Sequence, residues 1–170
     1  MAVYERFPEL NIHQKKIFAS TLPTKKLQQR MIQVFHNVNC KTFTFEEIGY
    51  PTVPGCTVIF ELGIADAKSF TFIDEEEAKK LLTALKKEPF RMMDFFCVIR
   101  YYKDYKSNKK PLKFDYYMAR CIFAEENMLE IQIFHERGPR YIPPKALTTF
   151  LLDRINEKTA RAILKEAPGL

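Results

Sequence analysis

Between Arg100 and Tyr117 the chain places six basic residues among six aromatic ones. That mixture suits a polyanion, because ammonium and guanidinium groups neutralise phosphates while rings stack on bases. The cations are Arg100, Lys103, Lys106, Lys109, Lys110 and Lys113, and the stacking candidates are Tyr102, Tyr105 and Tyr116. Five lysines between positions 103 and 113 face Asp104 alone, so this short stretch holds much of the formal net charge of +6. A concentrated patch draws a polyanion better than a diffuse excess does. The plainer account is a hairpin whose lysines keep its exposed tip soluble.

A second group of reactive types runs from Phe134 to Tyr141. His135 and Glu136 form a titratable pair and are the only weak candidates for proton transfer. Arg137 and Arg140 lie just ahead of Pro143-Pro144, where a helix is expected to begin. A phosphate or carboxylate could dock between these arginines and the helix amides. Two structural accounts compete with this. Strand parity puts His135 on the core face opposite Tyr117, and the arginines have Glu125, Glu126 and Glu136 as nearby partners.

Other chemistry is poorly supported. The chain has no G-x-S-x-G, no P-loop pattern, no G-x-G-x-x-G and no H-E-x-x-H, and its five glycines leave little scope for a phosphate-cradling loop. The four cysteines, Cys40, Cys56, Cys97 and Cys121, contain no C-x-x-C. His36, Cys40 and Cys56 come nearest to a metal-ligand set, yet burial of cysteine accounts for them without zinc. No metal and no cofactor are expected, and the chain reads as a binding protein before an enzyme.

These residues need a scaffold of ordinary size. A chain of 170 residues with 46% hydrophobic and 28% charged content fits one globular domain, residues 1–170. The longest apolar run, Phe95 to Ile99, is far short of the ~20 residues of a membrane span. Met1 to Leu22 lacks the apolar centre of a secretion signal, so a cytoplasmic location without a membrane partner is expected. Residues 1–23 are expected to be irregular or a short helix.

Leu27, Met31, Val34, Phe35 and Val38 form a stripe at helical spacing, with Thr24 as the expected cap. Lys41 to Glu46 then alternates as a strand. Val58, Phe60, Leu62 and Ile64 mark a second strand, and Ser69 to Ile73 returns from it as a hairpin. Asp74-Glu75-Glu76-Glu77 has the form of a capping box, opening a helix that Pro89 ends. Phe95 to Tyr102, Phe114 to Phe123 and Met128 to His135 are three further strands.

A turn at Glu125-Glu126-Asn127 with Asn127 left-handed sets Phe123 opposite Leu129, Cys121 opposite Ile131, Ala119 opposite Ile133 and Tyr117 opposite His135. The same parity puts Phe95, Cys97, Ile99 and Tyr101 on that face. It is expected to set Cys97 against Ala119, diagonal to Cys121 at roughly 7 Å, too far for a relaxed disulfide. Leu147, Phe150, Leu151 and Ile155 follow as a helix with proline in its first turn, and Asn156 to Leu164 continues it or starts another.

The expected fold is α+β, a mostly antiparallel sheet of about six strands with amphipathic helices packed on one face. The basic hairpin loop spans 103–113. Three functions fit this frame. The favoured one is a nucleic-acid-binding or other polyanion-binding module using the Lys- and aromatic-rich hairpin. The second is an enzyme or ligand-binding protein for a small phosphate- or carboxylate-bearing substrate at Arg137, Arg140 and the helix start. The third is a self-associating structural protein, a homodimer through the mixed sheet face of Phe96, Val98, Arg100, Tyr116, Met118 and Phe134.

Overall fold

A computed structural model of the chain describes residues 12–48, 55–65, 69–103, 110–125 and 127–167. Along them run β1 (Gln14–Ser20), α1 (Thr24–Asn39), β2 (Thr42–Thr44), α2 (Phe45–Ile48), β3 (Cys56–Ala65), β4 (Phe70–Phe72), α3 (Glu75–Lys87), β5 (Met92–Lys103), β6 (Lys113–Ala124), β7 (Met128–Arg137), α4 (Pro144–Asn156) and β8 (Leu164–Glu166). The fold is α+β, as the alternation of periods implies. One sheet orders the strands β2-β3-β5-β6-β7-β1-β8, with β4 hydrogen-bonded to β3. Every pairing is antiparallel.

The core lies on one face of this sheet. Val58, Phe60 and Leu62 of β3, Phe95, Cys97, Ile99 and Tyr101 of β5, and Tyr117, Ala119 and Cys121 of β6 are buried there with Leu129, Ile131 and Ile133 of β7. Helices α1, α3 and α4 cover them. Phe150 of α4 stacks on Phe60 with centroids 4.7 Å apart, and Phe35 of α1 meets Phe95 edge-on at 4.9 Å. Burying each such ring contributes ~1.5–3 kcal/mol, so this face carries most of the stability.

Three side-chain amides pin the helical layer to backbone that would otherwise lack partners. Asn39 accepts from Leu62 N at 2.7 Å and donates to Leu62 O at 2.9 Å. Gln28, fully buried, makes the same reciprocal pair with Phe90. Asn156 does so with Leu164.

The β6–β7 register is as the turn chemistry predicts. Asn127 has φ 57°, and Phe123, Cys121, Ala119 and Tyr117 face Leu129, Ile131, Ile133 and His135. Asp74 caps α3 by accepting from Glu77 N at 2.8 Å. The reciprocal half of the box is not used, because Asp74 N donates to Phe72 O instead.

The antiparallel α+β sheet is as expected, with eight strands among the described residues where about six were counted from the sequence, and several details are corrected. The extra ones are β8, at one edge of the sheet, and β1 beside it. β1 lies in the stretch expected to be irregular or a short helix, and β8 replaces the expected helical continuation beyond Asn156. Asn156 ends α4 by turning its amide onto Leu164. The strand expected over 41–46 shortens to β2, and α2 takes over at Phe45. Pro23, not Thr24, precedes the first turn of α1, with no side-chain cap. Cys97 faces Tyr117, a shift of two residues from Ala119 that preserves the face. All four cysteines are free.

Candidate functional site

Asp115 is the most conspicuous polar group in the core. Its side chain is 0% exposed, yet strand parity puts it on the apolar face two residues before Tyr117. Four donors surround it. Oδ1 accepts from Arg140 N at 2.7 Å and lies 2.8 Å from His135 Nε2. Oδ2 accepts from Tyr101 OH at 2.6 Å and Tyr141 N at 3.0 Å. A carboxylate so supplied is compensated for its loss of water.

The segment after β7 is folded around this carboxylate. Gly138 has φ +112°, and a side chain there would run into Phe114 O and Asp115 Oδ1. Only glycine meets both demands. Tyr117 OH donates to Ile142 O, and its ring packs edge-on against His135 with centroids 4.9 Å apart. Burial and the Asp115 carboxylate raise the hydroxyls of Tyr101 and Tyr117 far above the ordinary tyrosine value. The thiol of Cys97 is raised for the same two reasons. These groups stay protonated and hold structure.

His135 belongs to this network. Its side chain is only 8% exposed and its Nε2 is committed to Asp115, which leaves it little room to shuttle protons to a substrate. On its outer side His13 Nδ1 accepts from His135 N at 3.0 Å while the His13 ring stacks on Phe134. Burial, then Arg140, then His135 lower the pKa of His13 from 6.5. Asp115 was not among the candidate residues, although its parity with Tyr117 and Ala119 flags a charged residue on the core face.

The expected pairing of Arg137 with Arg140 beside the helix start is not what the fold presents. A bulge opens between Tyr116 and Tyr117, with Tyr116 opposite Arg137 and Tyr117 opposite His135, so Glu136 is the extra residue. The bulge turns Arg137 onto the sheet face away from the helices, its guanidinium 4.1 Å from the Tyr116 ring centre. Arg140, at φ 59°, is instead tied through its backbone to Asp115. The start of α4 also offers few donors, because Pro143 and Pro144 supply no N–H.

The sheet face away from the helices carries Arg137, Tyr116, Phe114, Phe96, Val98 and Arg100. Phe114 is 36% exposed and stacks beside Tyr116 with centroids 6.2 Å apart. Most charges on this face are matched within the sheet. Arg100 lies 2.5 Å from Glu61, Arg120 grips Asp94 with two hydrogen bonds of 2.8 and 3.1 Å, and Lys15 approaches Glu130 at 3.9 Å. Arg100 therefore brings less free charge to a ligand than its position implies.

At the open end of the β5–β6 hairpin, Lys103, Lys110 and Lys113 are exposed. Tyr102 is 6% exposed, so its ring has no open side for a base. Tyr105, Lys106 and Lys109 lie outside the described residues. Among the described residues no group of three His, Cys, Asp or Glu side chains could hold a metal ion. His36 Nε2 and Cys40 Sγ do approach to 3.7 Å, but Cys56 is buried in the core. No described helix is long and apolar enough to cross a membrane. Comparison with protein-family models, with curated proteins and with solved structures finds no match.

Proposed function

We propose that the protein is a binding module for single-stranded nucleic acid, held along the hairpin end of the sheet face away from the helices. The observation that carries this reading is the stack of Arg137 on Tyr116, next to the exposed Phe114 and leading to Lys103, Lys110 and Lys113. Planar groups on a sheet accept bases by stacking without demanding a sequence, and lysines at the margin take the phosphates. Binding is favoured over catalysis because Asp115 already has four hydrogen-bond partners and His135 is committed to it. The cytoplasmic location belongs to the same reading, supported by four free thiols that suit a reducing compartment.

The test is fluorescence-polarisation binding of labelled single-stranded DNA and RNA at about 50 and about 200 mM salt. Four phosphate contacts predict a loss of about fifty-fold in affinity between these conditions. Replacing Lys103, Lys110 and Lys113 together by Ser should lower the logarithmic salt slope by about 2. Absence of binding at the lower salt, or an unchanged slope in the variant, would overturn the assignment.

A further inference from the structure

A cavity of about 70 Å³ lies in the helical layer, far in chemistry from the sheet face, where α1 and α4 end side by side. Arg30, Lys41, Arg154 and Lys158 line it against the single carboxylate of Glu157, and Phe43 contributes an apolar wall. Such a space admits more than one water-sized group. The helix ends that meet here bring partial negative charge, but their carbonyls are already engaged. Asn37 O accepts from Cys40 N and Val38 O from Lys41 N. Arg30 donates through Nε to Ile155 O at 3.0 Å and through Nη2 to Glu157 O.

That accounts for Arg30 and leaves three cations against one carboxylate. Arg154 Nε is buried with no hydrogen-bond partner, its nearest carboxylate oxygen being Glu157 Oε2 at 3.6 Å. The guanidinium is held 5.3 Å from the Phe150 ring centre, which limits its freedom to swing out to water. Among the described residues Lys41 and Lys158 have no ion-pair partner. A guanidinium whose buried Nε has no hydrogen bond and whose one carboxylate neighbour stands at 3.6 Å, in a cavity also lined by two lysines, is the arrangement a compact dianion completes.

We propose that this cavity is a phosphate-binding site, with Arg154, Lys41 and Lys158 as the groups that hold the phosphate of a small phosphorylated molecule. A second, more open hollow of about 360 Å³ shares Arg30, Val34 and Asn37 with the first and extends along α1 to Gln33 and His36. It receives the rest of the ligand. Gln33, His36 and Asn37 of α1 and the Glu75–Lys79 ion pair of α3 give it polar groups on both sides of the apolar Ala78 and Leu82, which fits a hydroxylated carbon skeleton. The site is independent of the sheet face.

Isothermal titration calorimetry of the full chain at low ionic strength, with inorganic phosphate, ribose 5-phosphate and ribose as separate titrants, tests the site. Ribose 5-phosphate should bind saturably, more tightly than inorganic phosphate, and ribose should not bind. Arg154→Met, which keeps the apolar stem, should weaken ribose 5-phosphate at least tenfold. The double variant Lys41→Met with Lys158→Met, at exposed positions, should do the same and guards against a folding defect in the first. Neither should change the salt slope of nucleic-acid binding. No saturable binding of either phosphate by the unaltered protein, or unchanged binding in the double variant, would overturn the proposal.

Discussion

Asp115 on the core face of β6 and Arg154 on α4 are charged groups that the protein treats oppositely. Asp115 is 0% exposed and faces four donors at 2.6 to 3.0 Å. Arg154 Nε is also buried, yet it has no hydrogen-bond partner and only one carboxylate at 3.6 Å. The carboxylate recruits two backbone amides from a loop, a tyrosine from β5 and a histidine from β7, so it fixes where those elements stop. The guanidinium has only the Glu157 carboxylate and the Phe150 ring beside it, and it lines a cavity. A completed network defines the shape of the chain, whereas an incomplete one with free cations beside it leaves room for a ligand. Reactive residue types alone do not separate the two cases, because His135 and Arg140 belong to the completed network and Arg154 to the incomplete one.

Asp115→Asn gives the largest break in that comparison. The amide nitrogen would face donors that a carboxylate now satisfies, and the loop amides of Arg140 or Tyr141 would lose an acceptor. We expect destabilisation of about 3–5 kcal/mol in urea unfolding. A loss below about 1 kcal/mol would mean that water replaces the carboxylate cheaply and that the network is not what fixes the loop. Gly138→Ala should follow in size, at about 2 kcal/mol, since the left-handed backbone and the approach to Asp115 both resist a side chain. If it unfolds at the same urea concentration as the unaltered protein, the loop can move off Asp115 and the two regions are less different than they look.

The completed network was partly legible in the sequence. Period-two alternation and the Glu125-Glu126-Asn127 turn give the β6–β7 register residue by residue, and with it the pairing of Tyr117 with His135. The same parity places Asp115 on the core face, but its donors come from Tyr101 on a neighbouring strand and from loop amides that no side-chain pattern marks. The β5–β6 register is off by two because a long loop does not set its own offset as a three-residue turn does. β1 escapes pattern analysis because only Phe18 of its core-facing residues is fully buried, while Gln14 and Lys16 look polar. Arg137 is misplaced by a bulge that adds one residue at Glu136. Least legible is the cationic cavity, since Lys41 and Arg154 stand on segments far apart in the chain that come together only after α1 and α4 pack.

His13 lies between the two extremes and gives the smallest and most specific effect. Its Nδ1 accepts one hydrogen bond, from His135 N at 3.0 Å, at the margin of the Asp115 network. Burial and the neighbouring Arg140 and His135 lower its pKa below 6.5, so the folded state favours the neutral ring. The resulting stability is fully present above pH 6.5 and is lost as pH falls through the lowered value, because the unfolded chain then binds the proton more readily. Protonation also replaces the acceptor with a donor facing the His135 N–H, which loosens the start of β1 against β7. The denaturation midpoint of the unaltered protein should therefore fall between about pH 7 and pH 5 by more than that of His13→Gln, whose amide oxygen can accept the same hydrogen bond without titrating. Parallel pH profiles for the two proteins would remove His13 from the network and confine that network to the groups around Asp115.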